Sequence, residues 1–286
     1  GQTIETAPLS LRWLSRRQLL LTGERDGFLT VRSLGRGVLR CNGIPTEQAL
    51  LQEGDVLEVG RRMVLMCVRT PAHLPAIDGL PLHPFGQPDA DGIVGESPAA
   101  WELRRLLQVV APRRRHVLIL GQSGTGKELV AAALHRCSGV TGPLITRNAA
   151  TLPEGIIDAE LFGNAESYPN PGMKARPGLI GAAHGGSLLL DEIAELPVAL
   201  QAHLLRVLDA GEYQRLGEAR PRRADFRMLG ATNRALDSLK HDFLARFIRR
   251  IRLPDLNEQR ADIPLLASHL LAQAQRDNPA LFPARV

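Results

Sequence analysis

Gly121-Gln122-Ser123-Gly124-Thr125-Gly126-Lys127-Glu128 is the stretch on which the fold turns. It follows the apolar run His116-Val117-Leu118-Ile119-Leu120 and opens a segment, Glu128 to Arg136, with helical spacing. A glycine-rich turn between a buried strand and a helix is the setting of a phosphate-binding loop. Glycine lets the backbone curl until several N–H groups point at anionic oxygens. The helix N-terminus adds partial positive charge, and Lys127 is long enough to reach the β- and γ-phosphates of ATP. Gly121, Ser123, Gly124, Thr125, Gly126, Lys127 and Glu128 are therefore the candidate nucleotide-binding residues. Glu128 stands where a Ser or Thr hydroxyl usually touches Mg²⁺, which shifts metal binding to other groups.

Those groups lie downstream. Leu188-Leu189-Leu190-Asp191-Glu192 places two acids at the carboxyl end of an apolar strand. Asp191 is the candidate Mg²⁺ ligand, and Glu192 the candidate that polarises water for in-line attack on the γ-phosphate. Acids in this position also cap following helices, so the pair gains its meaning from the upstream loop. Ala231-Thr232-Asn233-Arg234 follows another apolar strand, Phe226 to Leu229, and offers Asn233 as a γ-phosphate sensor. Taken alone, Asn233 reads as a turn residue. With a helix predicted over Ala99 to Val110, strands and helices alternate from Ile93 onward. That alternation predicts an α/β fold, a parallel sheet with helices on both faces.

Composition sets outer limits. The chain has 286 residues, 44% hydrophobic and 23% charged, as in a soluble protein of about two domains. No apolar run approaches the roughly 20 residues of a membrane span, and the start lacks a signal-peptide pattern. Cys41, Cys67 and Cys137 are scattered without metal-ligand spacing, so a reduced, cytoplasmic setting is expected. The net charge of +5 is concentrated in arginine runs at 113–115, 220–223 and 249–252. No aromatic residues interleave with these runs and no DNA-binding motif follows them, so direct DNA binding by this chain is not expected.

The first 70 residues read differently. Leu19 to Thr22, Phe28 to Val31 and Met63 to Val68 are β-rich, separated by the turns Asn42-Gly43 and Glu53-Gly54-Asp55. Strands without intervening helices predict a small all-β sandwich over residues 1–70. Residues 71–91 hold five prolines and read as a semi-extended linker.

Residues 93 to about 267 resemble the central AAA+ domain of bacterial enhancer-binding proteins, the sigma-54 activators. The resemblance rests on Ile93-Val94-Gly95-Glu96-Ser97, Gly121 to Glu128, Glu160-Leu161-Phe162-Gly163, Gly185 to Ile193, Gln201 to Leu208 and Ala231 to Arg234. Gly-Lys-Glu in the phosphate loop is usual in that family. The resemblance implies an AAA+ subdomain over 92–253 and the start of a helical lid over 254–286. It also implies an ATPase working as a ring, usually a hexamer, with sigma-54 and RNA polymerase as the family's partner. Val94 and Gly95 match residues near the adenine, and Asn148 matches an asparagine that restrains the catalytic glutamate. Arg246 matches an arginine finger that serves the neighbouring subunit. Lys240 aligns with a second finger but lacks the planar fork of arginine.

Two departures qualify the output. Between Gly163 and Gly178 the activators carry a Gly-Ala-Phe-Thr-Gly-Ala loop, whereas this chain has Asn164 to Met173 with Pro169 and Pro171. Contact with sigma-54 in the usual manner is therefore not predicted, and the client is left open. Asn257 and Gln259 replace two family arginines, and the lid's sensor arginine and a helix-turn-helix would lie beyond Val286. The N-terminal segment, residues 9–70, resembles a forkhead-associated (FHA) domain through Leu14-Ser15-Arg16-Arg17-Gln18. That resemblance implies a phosphothreonine-peptide partner held by Ser15 and Arg16. Two readings stand at this level: a regulated ATPase that remodels a protein client, and an ATP-binding scaffold with weak hydrolysis.

Overall fold

Short alternating strands build the N-terminal part. The computed structural model describes residues 15, 17–23, 28–60, 63–69, 79–153 and 155–279, in two units, Gly1–His73 and Leu74–Val286. In the first, the strands are β1 (Leu19–Gly23), β2 (Leu29–Ser33), β3 (Leu39–Cys41), β4 (Ile44–Pro45), β5 (Gln48–Leu51), β6 (Val56–Val59) and β7 (Met63–Met66). They form two antiparallel sheets, β1-β2-β5 and β4-β3-β6-β7. Val31, Leu39, Leu51, Leu57 and Val59 fill the space between them. Asn42 and Gly43 both take positive φ, 51° and 80°, which is the turn a two-residue β3–β4 hairpin requires. The Asn42 side chain secures it by accepting from Val56 N–H and donating to Asp55.

The second unit has α1 (Pro98–Val110), β8 (Val117–Leu120), α2 (Lys127–Arg136), β9 (Leu144–Asn148), α3 (Ile157–Phe162) and α4 (Gly178–Ala182). Then come β10 (Ser187–Asp191), α5 (Val198–Ala210), β11 (Glu212–Tyr213), β12 (Arg222–Arg223), β13 (Arg227–Thr232), α6 (His241–Leu244), β14 (Arg249–Arg252) and α7 (Ile263–Asp277). Five strands make one parallel sheet in the order β14-β8-β13-β10-β9. Alternate residues of each strand enter opposite cores. Leu118, Leu188, Leu190 and Met228 meet α3 to α6, while Val117, Ile119, Leu189 and Leu229 meet α1 and α2. Continuous apolar runs such as Val117 to Leu120 are what a sheet covered on both faces demands. The α/β architecture and the all-β N-terminal part agree with the sequence reading.

Helix starts are chemically marked. Ser97 caps α1 by accepting from Ala100 N–H, with Pro98 at the first position. Gly211 closes α5 in the left-handed region.

The structure differs from composition at 79–91, read as linker. These residues are strapped to α1 and α2. Asp89 accepts from the Arg104 guanidinium at 2.8 Å, Asp91 receives two bonds from Arg136, and His83 stacks on Trp101. Proline content reports stiffness and carries no information about such ion pairs. Residues 71–78 of that stretch lie outside the described residues.

Candidate functional site

Because the sheet is parallel, the carboxyl ends of β8, β9, β10, β13 and β14 share one edge, where open α/β sheets bind ligands. The loop 121–126 leaves β8 there and enters α2. Gly124 and Gly126 have φ of +79° and +85°, the left-handed values that let successive N–H groups turn inward. A side chain at Gly124 would meet no neighbour within 4 Å. Gly121 is different: a Cβ there would press on Leu253 at 3.1 Å. Lys127, 7% exposed, turns its Nζ onto the carbonyls of Gly121 and Gln122 at 3.1 Å each. Thr125 Oγ1 donates to Gln122 O, while Ser123 and Glu128 are exposed.

Asp191 ends β10, and its Oδ1 is buried without a hydrogen-bond partner. A buried, unsatisfied carboxylate oxygen is costly unless a cation or water completes it. Among the described residues no group of three or more His, Cys, Asp or Glu side chains could hold a metal. One carboxylate beside a phosphate loop nonetheless suits Mg²⁺, which is held by few protein ligands together with phosphates and water. The site therefore fits a Mg-nucleotide.

Glu192 follows with φ +50° and ψ +44°, a left-handed conformation that costs a non-glycine residue about 1–2 kcal/mol. The kink turns its carboxylate away from the strand axis toward β13, where Oε2 accepts from Asn233 N–H at 3.5 Å. Glu192 and Asn233 are thus brought together. Asn148 is the register partner of Asp191 on β9, but its Oδ1 caps a short turn by accepting from Ala150 N–H at 2.9 Å. The contact expected between Asn148 and Glu192 is not formed. The bond to Ala150 anchors the side chain through Oδ1 alone, against the end of its own strand.

Arg246 and Lys240 flank α6, away from this edge. Arg246 makes a two-pronged pair with Asp209 of α5, through Nε to Oδ1 and Nη2 to Oδ2. The expected finger is occupied within its own subunit, a partner the sequence reading did not weigh. Lys240 is exposed; its backbone N–H donates to buried Gln201. Val94 is half-buried and Gly95 buried, in a turn that flanks α2, with Gly92 facing Leu129.

The loop 163–178 is a closed structure. Asn164, 3% exposed, donates its amide to the carbonyls of Ala165, Tyr168 and Lys174. Ala165 N–H reaches Leu216 O, and the Tyr168 ring lies on Gly217, which locks this loop to the β11–β12 loop. Ser15 Oγ, in the first unit, accepts from Arg36 N–H at 3.4 Å, and Arg16 lies outside the described residues.

Residues 93–256 match the family described as the Sigma-54 interaction domain. The chain belongs to that family. Over 278 residues it is 39% identical to the nitric oxide reductase transcription regulator NorR1 of Cupriavidus necator, covering 92% of this chain and 52% of that protein. It is 40% identical to the DNA-binding transcriptional regulator NtrC of Klebsiella pneumoniae over 202 residues, 68% of this chain and 43% of the relative. The crystal structure of NtrX from Brucella abortus in complex with ATP matches with a TM-score of 0.59 and 34% identity. That match covers 64% of this chain and 43% of NtrX. The chain thus spans about half the length, or less, of these relatives. In this sigma-54 interaction domain the sequence reading missed Asp209, Asn164 and Asp262. Single polar residues without a motif give no signal until packing supplies their partners.

Proposed function

We propose that the chain is the nucleotide-driven part of a sigma-54-type transcriptional regulator, an ATPase that assembles as a ring and remodels a protein client. The observation that carries this reading is the left-handed glycine loop with buried Lys127 on the same sheet edge as the orphaned Asp191 oxygen. Gly121 to Glu128 hold the phosphates, Lys127 leaving its two carbonyl partners for phosphate oxygens. Asp191 would hold Mg²⁺, which would supply positive charge against the bound phosphates. Glu192 orients and deprotonates water, and Asn233, already beside it, reads the γ-phosphate. Asn148 regains Glu192 in one nucleotide state. Val94 and Gly95 line the base. Arg246 released from Asp209, together with Lys240, completes the neighbour's site. Relatives named as transcription regulators and an ATP complex of a structural neighbour support the reading. The N-terminal unit acts as an FHA-like sensor of phosphothreonine peptides through Ser15 and Arg16, in the cytoplasm.

The scaffold reading draws on one feature, the Arg246–Asp209 pair, which withholds the finger from a neighbour. Turnover measured against protein concentration separates the two. A rate per subunit that rises with concentration and vanishes in Lys127→Ala and Glu192→Gln is expected. Tight ATP binding without turnover at any concentration would instead establish the scaffold. Sigma-54 as client is tested by pull-down with ADP and aluminium fluoride; no complex removes that partner and leaves the ATPase standing.

A further inference from the structure

A buried carboxylate stands outside the phosphate loop and the acid pair. Asp262, 1% exposed, immediately precedes α7, the first lid helix. Its Oδ1 accepts from Glu96 N–H at 2.7 Å and Ser97 N–H at 2.8 Å, and its Oδ2 from Ser97 Oγ at 2.5 Å. Three donors and the positive end of a 15-residue helix offset the cost of burying this charge. The contact joins segments more than 160 residues apart, since it spans 165 and 166 positions.

The turn it grips is also held by α1 and by the strap that precedes it. Arg104 of α1 donates to Gly95 O at 2.8 Å and to Ile93 O at 3.0 Å, while pairing with Asp89. Glu96 accepts from Trp101 Nε1 and from Gly86 N–H, and a Cβ at Gly86 would touch Leu265 of α7. Asp91 ties the same strap to Arg136, on the helix that the phosphate loop opens. Gly95 has φ +141°, and a Cβ there would stand 2.8 Å from Asp262 Oδ2. Backbone and carboxylate are therefore fitted to each other. Removing the carboxylate frees the lid helix from the turn while leaving the phosphate loop intact.

We propose that Asp262 is a positioning residue of the nucleotide site, fastening the lid helix to the Val94–Ser97 turn so that the base is retained between them. It acts on nucleotide affinity and release, and touches neither the attacking water nor the γ-phosphate. The inference rests on the reading of residues 121–128 as an ATP loop.

The test is ADP and ATP binding and steady-state turnover in the full chain, comparing wild type with Asp262→Ala, Asp262→Asn and Ser97→Ala. Loss of a charge-assisted buried contact predicts that Asp262→Ala raises the ADP Kd about tenfold, mostly through faster release, and raises KM in step. The kcat at saturating ATP stays within about twofold of wild type. Asn keeps an acceptor for both backbone N–H groups, so Asp262→Asn restores most of the affinity. Ser97→Ala, which removes one bond, is the milder variant to use if Asp262→Ala does not fold, and weakens ADP about threefold. Unchanged Kd in the folded variants, or a fall in kcat at constant KM, overturns the proposal. A wild-type chain that binds neither nucleotide refutes the ATP loop instead.

Discussion

At the residue scale, partners decide what a charge means. Arg227 is 2% exposed on the central strand β13 and forms no ion pair with an acid among the described residues. Its guanidinium donates to the carbonyls of Arg115, Ala111, Val110 and Leu134, the last turns of α1 and α2 and the loop before β8. Burial lowers its pKa to about 10, with Arg114 nearby adding to the effect. Those carbonyls carry the negative ends of two helix dipoles, which is the compensation an unpaired buried cation needs. Arg227→Ala leaves them unsatisfied, and a loss of about 3–5 kcal/mol is expected in urea unfolding. Arg227→Lys keeps the charge but not the fork, so it recovers only part of that loss. From sequence, Arg227 is one more arginine in a basic chain. The phosphate-loop glycines are legible there because their spacing itself encodes a backbone path.

At the element scale, the run Arg249-Arg250-Ile251-Arg252 is the instructive case. As a string it suggests a basic patch, yet it forms β14, the edge strand beside β8. Ile251 is 1% exposed and packs in the core under α1 and α2, while the three arginines are exposed. Charged side chains on an edge strand also discourage pairing with another chain. Ile251→Ala is expected to cost about 2–4 kcal/mol, whereas Arg250→Ser changes stability by less than about 0.5 kcal/mol. Thermal unfolding of the two variants distinguishes a strand from a ligand patch, since a patch predicts the opposite ranking of functional and stability effects. The charge run hid the strand because only one residue in four reports the core.

At the scale of the whole molecule, titration of two half-buried histidines shapes stability. His116 sits before β8, where its Nδ1 accepts from Met228 N–H, and burial holds its pKa below the ordinary 6.5. His135 lies against Ser187 Oγ at 2.9 Å, and its pKa is lowered by burial and by Arg227. In the unfolded chain both bind a proton near 6.5, but in the folded state each does so only at lower pH. The unfolded state therefore holds more protons as pH falls below about 6.5, and stability declines with acidity over that window. Unfolding free energy measured from pH 7.5 to 5 is expected to fall, with a shallower slope in His135→Asn. No helix among the described residues is long and apolar enough to cross a membrane.

The sequence by itself determined the sheet and its chemical edge. Apolar runs ended by Gly121, Asp191 and Asn233 fix strands whose carboxyl ends must carry those residues, because strand period and turn chemistry are local. It likewise announced the Asn42-Gly43 hairpin. Only the tertiary structure decided which polar atoms meet. Asp209 claims Arg246, Ala150 claims Asn148, Asn164 closes the 163–178 loop, and Asp262 holds the start of α7 to Ser97. Each of these is a short-range electrostatic contact whose energy depends on distance and burial, set by the fold as a whole rather than by neighbours along the chain.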